Sequence, residues 1–148
     1  MRKPINEMRL VIPSRSANES FARSAVAAFI AQLDPAVDEL ADIRTAVSEA
    51  VTNCIVHAYA NKIGTISILA RVIDDNVAYI KIKDKGCGIV DVKQAMEPLF
   101  TTAKGEERAG LGFAVMQSFM DKVKVYSKPE KGTTVVMRKK INSRSGNE

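Results

Sequence analysis

The sequence predicts an α+β fold, a two-layer sandwich with its helices packed on one face of a mostly antiparallel sheet. Apolar residues alternate with polar ones on both sides of the turn Asp74-Asp75-Asn76, which reads as a hairpin. Upstream, apolar residues recur at steps of three and four, the period of a helix lying on a core. Strands and helices come in groups, as they do in such sandwiches.

Residues 8–12 are a short apolar run stopped by Pro13, the pattern of an edge strand. Ser16-Ala17-Asn18-Glu19 has the S-x-x-E form of a capping box ahead of Phe21, Val26, Phe29 and Ile30, so a helix is expected to about Leu33. Asp34-Pro35 restarts the pattern, with Asp34 expected as N-cap and Pro35 in the first helical position of a longer helix reaching about Ala60. On that helix Leu40, Ile43, Val47, Ala50, Val51, Cys54, Ile55 and Ala58 form the core stripe, with Asp42, Thr45, Ser48, Glu49, Thr52 and Asn53 opposite.

In the hairpin, Ile66, Ile68, Ala70 and Val72 share one face, as do Ala78, Ile80 and Ile82 on its second strand, which Gly86 and Gly88 end. Residues 89–100 are mixed, with a short helix expected before Pro98. Residues 101–109 hold four charges, a glycine and no apolar period, the composition of a mobile loop. A helix over 111–120 and a hairpin pairing 123–127 with 133–138 complete the chain, followed by a polar stretch. One domain over residues 1–141 and a disordered tail over 142–148 are expected.

With 46% hydrophobic and 26% charged residues the chain reads as a soluble globular protein. Its apolar runs fall far short of the roughly 20 residues that span a bilayer, and residues 1–7 lack the features of a secretory signal, so a cytoplasmic location is expected. Cys54 and Cys87 have no disulfide or zinc spacing and are expected to be small packing residues. The net charge is +5 and the isoelectric point about 9.3. Because Arg2, Lys3, Arg138, Lys139, Lys140 and Arg144 lie towards the two ends, the body is expected to be near neutral, favouring an acidic protein partner or none over nucleic acid. Aromatic residues are only 5%, too few to favour base stacking.

Four local patterns carry chemistry. In Glu49-Ala50-Val51-Thr52-Asn53, Glu49 and Asn53 stand one helical turn apart, with His57 following on the same row. A carboxylate and an amide oxygen so placed suit a proton acceptor and a magnesium ligand, although a solvated helix face would look the same. His57 itself reads as an ordinary histidine. In Asp84-Lys85-Gly86-Cys87-Gly88 the strand alternation turns Asp84 inward, where its carboxylate needs a donor such as the amino group of adenine; a turn closing a strand is the alternative. Gly110-Leu111-Gly112-Phe113, after Arg108, opens a helix whose free N–H groups favour phosphate. Gly132-Thr133-Thr134 by itself reads as a hairpin turn.

In their order these patterns resemble the N, G1, G2 and G3 boxes of the GHKL ATPase and kinase superfamily, also called the Bergerat fold. The signatures of Rossmann and P-loop sites are absent. Residues 18–23, 48–53 and 98–102 are similar to the anti-sigma F serine kinases of spore-forming bacteria. That resemblance implies a kinase that uses ATP with magnesium, binds and inhibits a sporulation sigma factor of the F type, and phosphorylates a serine of an anti-anti-sigma antagonist. It implies Glu49 as the base, Asn53 as the magnesium ligand and Asp84 as the adenine contact. Gly86, Gly88, Gly110, Gly112 and Thr133 would shape the nucleotide pocket, and Thr102 and Arg108 in a lid would approach the phosphates. Arg23 would contact both protein partners, and a homodimer through the first strand and helix is implied too. Cys54, Cys87 and Ala58 depart from the family pattern without removing a polar group the mechanism needs. An anti-sigma B or stress-signalling kinase and a nucleotide-gated sigma-binding module without kinase activity are the rival readings. A histidine-kinase fragment is disfavoured, because no dimerisation helix with a phospho-accepting histidine precedes the ATP-binding boxes.

Overall fold

A computed structural model of the protein describes residues 3–96 and 108–142. Its strands are β1 (Pro4–Pro13), β2 (Thr65–Ile73), β3 (Val77–Asp84), β4 (Lys122–Lys128) and β5 (Gly132–Lys140). They form one sheet in the order β1-β2-β3-β5-β4, and every neighbouring pair is antiparallel. The helices are α1 (Ala17–Ile30), α2 (Val37–Asn53), the single-turn α3 (Val92–Met96) and α4 (Arg108–Phe119). Helix α2 packs between α1 and α4 over one face of the sheet, so the expected α+β sandwich is the fold observed.

The register explains the core. Ile66, Ile68, Ala70 and Val72 stand opposite Asp84, Ile82, Ile80 and Ala78, and that row continues through Val135 and Met137 of β5. Onto this face α2 sets Ile43, Val47, Ala50 and Val51, while α1 adds Val26 and Ile30 and α4 adds Phe113 and Met116; all are buried. Strand β1 is the expected edge, longer than residues 8–12 because its backbone pairs with β2 along its whole length. Its two prolines sit at its ends, where a missing N–H costs little.

Both helix starts differ from expectation. Ser16 has helical backbone angles and makes no side-chain cap; the Glu19 carboxylate instead accepts the Ser48 hydroxyl at 2.6 Å and pairs with Arg23. Asp34 closes the 3₁₀ turn that ends α1, in left-handed backbone with φ 54°, so it cannot cap α2. Helix α2 begins two residues beyond Pro35, where the Ala36 N–H donates to Glu39 Oε1 at 2.9 Å. The other oxygen of Glu39 accepts the Asn142 N–H at 2.8 Å, and Ile141 is buried against the body. The rest of the expected tail lies outside the described residues. So do residues 101–107 of the expected loop; Arg108 and Ala109 belong to the first turn of α4, three residues ahead of the apolar period.

The last turn of the α2 rod, residues 54–58, widens so that the Tyr59 N–H donates five residues back, to Cys54 O at 3.1 Å. Tyr59 locks this end to the sheet: its hydroxyl donates to Thr65 O at 2.8 Å and accepts the Lys85 N–H at 2.6 Å. Ile80, fully buried in the middle of the sheet, tests the core. Ile80→Ala is expected to cost about 2–5 kcal/mol in urea unfolding, with the slope unchanged.

Candidate functional site

Four segments converge on a cleft between α2 and the sheet. Ala50, Asn53, Cys54 and His57 come from α2 and its widened turn, Phe113 from α4, Ile82 and Asp84 from β3, and Thr133 and Val135 from β5. Gly88 and Ile89 close it from the loop after β3. A mostly apolar cleft with a few convergent polar groups is the ordinary form of a small-molecule site.

Asp84 is turned inward and is only 5% exposed. Its Oδ1 accepts the Gly86 N–H at 2.9 Å and the Thr133 N–H at 3.2 Å. Among the described residues Oδ2 meets only the Cys54 thiol, at 3.5 Å. A thiol is a weak donor, so this oxygen keeps acceptor capacity. Burial, reinforced by the Asp84 charge, pushes the Cys54 thiol well above its ordinary value, which keeps it protonated and donating. Cys54 is buried as expected, whereas Cys87 is exposed, its sulfur 3.4 Å from His57 O, so it is no packing residue.

The loop after β3 is held by contacts that leave no room for side chains. A Cβ at Gly86 would collide with the Ala58 carbonyl, which accepts the Cys87 N–H at 3.0 Å. Gly88 has φ +76°, and a Cβ there would land on the Lys128 carbonyl. Ser127 of β4 joins the two sides. Its hydroxyl donates to Gly132 O at 2.9 Å and accepts the Ile89 N–H at 2.8 Å, so the Thr133 hydroxyl, 2.8 Å away, must be the donor of that pair.

Glu49 and Asn53 are half-buried, because α4 crosses them at Gly112. A Cβ on Gly112 would stand 3.0 Å from Asn53 Nδ2, 3.2 Å from Asn53 Oδ1 and 3.3 Å from Glu49 Oε1. Both side chains therefore converge on one point of α4. Asn53 Nδ2 is buried with no hydrogen-bond partner among the described residues. Their oxygens are the hard donors magnesium prefers. Among the described residues no three His, Cys, Asp or Glu gather to hold a metal, so an ion here would need phosphate or water oxygens as well.

Asn53, Asp84, Gly88 and Thr133 are thus brought together at the cavity, with Gly86 behind it and Glu49 and Gly112 beside Asn53. The backbones of Arg108 and Gly110 open α4, while Thr102 and the side chain of Arg108 lie outside the described residues. Arg23 stands apart, on α1, 3.3 Å from Glu19 in a groove it shares with Leu40, Arg44 and Thr45. Sequence reading passed over Ser127 and Phe113 and set His57 aside. Only the alternation along β4 pointed to Ser127, and the widened turn that brings His57 to the wall has no sequence signature.

The family of the histidine kinase-like ATPase domain matches residues 12–139. An anti-sigma F factor of Caldanaerobacter subterraneus subsp. tengcongensis is 61% identical over 92% of this chain and 94% of its own length. The chain belongs to the anti-sigma F factor family. Another member, from Geobacillus thermodenitrificans, is 52% identical over 92% of this chain and 93% of its own. Among solved structures, the RsbU and RsbW domains of Rv1364c from Mycobacterium tuberculosis share the fold with a TM-score of 0.68 at 18% identity, over 95% of this chain and 34% of that one. An ATPase domain of this type implies nucleotide binding in this anti-sigma F family member. Among the described residues no helix is long and apolar enough to cross a membrane.

Burial holds the His57 imidazole below its ordinary value of 6.5. As pH falls through that value the unfolded chain takes up a proton that the folded chain refuses. Stability is therefore lost until the pH has passed below the folded-state value. The stability of the wild type relative to His57→Gln, from urea unfolding, is expected to fall between about pH 7.5 and about pH 5.5. A difference that does not change with pH would count against the burial of His57.

Proposed function

We propose that the protein is an anti-sigma factor that also acts as an ATP-dependent serine kinase, binding a sigma factor of the F type and phosphorylating a serine of an anti-anti-sigma antagonist. The observation that carries this is the convergence of Glu49 and Asn53 on Gly112, beside a cavity whose far wall holds Asp84. Asp84 Oδ2 accepts the amino group of adenine, while the apolar walls at Ile82, Phe113 and Val135 exclude water from the base. The first N–H groups of α4 face the phosphates, with Arg108 at that helix start. Asn53 holds magnesium, which supplies charge neutralisation to the phosphates when bound.

Glu49 takes the proton of the incoming serine hydroxyl as that oxygen bonds to the γ-phosphorus and the bond from phosphorus to the ADP oxygen breaks. Phosphoryl transfer asks mainly for alignment and neutralised charge, so one base beside a positioned triphosphate suffices. Arg23 on α1 serves protein contacts remote from the nucleotide, and exposed Ile5 and Val11 on the β1 edge and Phe21 on α1 supply the surface of a homodimer. Identity of 61% to an anti-sigma F factor favours this partner set over an anti-sigma B system, since the likeness to the RsbW domain, at 18% identity, bears on fold alone.

Transfer of ³²P from γ-labelled ATP to a panel of antagonist proteins tests the reading. Glu49→Gln is expected to lower transfer about 100-fold or more while calorimetric ATP affinity stays within a few-fold. Asp84→Asn is expected to weaken ATP binding about tenfold or more, because it removes a charged acceptor from a buried network. Tight ATP binding with no transfer to any antagonist would leave a nucleotide-gated sigma-binding module.

A further inference from the structure

The solvent face of the sheet is a large surface that neither the cavity nor the helices use. One row across it reads Glu7, Arg71, Tyr79, Arg138, Lys122, and the next reads Arg9, Leu69, Lys81, Val136, Lys124. A third row reads Val11, Ser67, Lys83, Thr134, Tyr126, and Lys140 and Lys128 stand at opposite ends. Among the described residues Glu7 is the one carboxylate in these rows, and Arg71 already engages it at 3.0 Å. At the margin, Asp75 of the β2–β3 turn pairs with Lys140 at 2.9 Å. The helical layer, by contrast, leans acidic, with Glu19, Asp38, Glu39, Asp42 and Glu49 beside Arg23, Arg44 and Lys93.

The near-neutral body expected from composition is therefore an average over two unlike faces. Arg138 and Lys140, counted as terminal in the sequence, belong to β5 and stand on the basic face. Two of the chain's three tyrosines stand there too. Tyr79, Lys122, Lys124, Tyr126, Val136 and Arg138 line an open groove. Arg138 lies 4.9 Å and Arg71 5.7 Å from the centre of the Tyr79 ring, while Tyr126 is 57% exposed.

We propose that this face binds a nucleic-acid strand, with its lysines and arginines on the phosphates and Tyr126 as a platform for a base. A protein interface needs an apolar centre and is poor in lysine, whereas on this face Val11, Leu69 and Val136 stand singly among Lys81, Lys83, Lys122 and Lys124. Interfaces with nucleic acid are polar and strongly positive, and a cationic groove floored by an aromatic ring is how strands are held without sequence preference. Membrane contact would call for apolar or aromatic residues spread over a broad surface, whereas here the exposed ring sits within a groove.

The test is fluorescence anisotropy of the full chain with a fluorescein-labelled oligothymidine at several salt concentrations. Binding is expected to weaken linearly on logarithmic axes, with a slope of about −0.7 per phosphate engaged. The pair Lys122→Glu with Lys124→Glu is expected to weaken it about tenfold or more and to flatten the slope, with ATP affinity and the melting temperature retained. Tyr126→Ser is expected to weaken it about fivefold or more with the slope unchanged. Arg15→Glu with Lys62→Glu makes the same change in net charge away from this face and is expected to have little effect. No binding at low salt would overturn the proposal, as would an equal loss from the Arg15 and Lys62 pair. It would also fail if Tyr126→Ser had no effect while vesicles containing phosphatidylserine bound with the same dependence on Lys122 and Lys124, since the face would then be a membrane contact.

Discussion

A carboxylate buried at the end of β3 has to find donors, and the ways in which Asp84 finds them set the geometry of the site. One oxygen is satisfied by the backbone of its own turn at Gly86 and by the start of β5 at Thr133, which fixes the loop and the neighbouring strand relative to each other. Among the described residues the other oxygen has only the Cys54 thiol, from the turn that follows α2, so the helical layer meets the sheet at a point where one acceptor stays underused. An uncompensated charge there would be costly, and a fully compensated one would be inert. Asp84 lies between those limits.

Much of this was legible in the chain. Alternation placed Asp84 on the inner face because a strand has a period of two and the residues before it are plainly apolar on that side. Helical spacing placed Glu49 and Asn53 together, and the order of the glycine motifs indicated the family. What local pattern could not supply was contact between distant segments. Glu49 and Asn53 read equally well as a solvated helix face, and it is α4, about sixty residues later, that covers them. The caps failed for a related reason. Ser16 and Asp34 have the right chemistry for helix starts, but Glu19 is drawn to Ser48 across the helix pair, and Asp34 is spent ending the previous turn.

Charge, too, could not be placed from composition alone. Composition sums over the molecule, whereas electrostatic potential follows position, and strands alternate their side chains between two faces. Lys139 turns inward to the Phe119 carbonyl and Asp42, while its neighbours Arg138 and Lys140 turn outward. A run of three cations is thereby divided between two environments, Lys139 against the helical layer and Arg138 and Lys140 on the open face, where Lys140 meets Asp75 at its margin.

The strand order carries one more implication, for the life of the chain on the ribosome. β5 lies between β3 and β4, so the ribosome makes an interior strand of the sheet after all the others. Until it has emerged, β3 has an open edge, Asp84 lacks its Thr133 partner, and the apolar face that Val135 and Met137 complete is unfinished. A nascent molecule therefore lacks the β5 wall of the cleft, and its exposed strand edge is a hazard for mispairing while synthesis continues. The cleft between α2 and the sheet is complete only when the interior strand inserts.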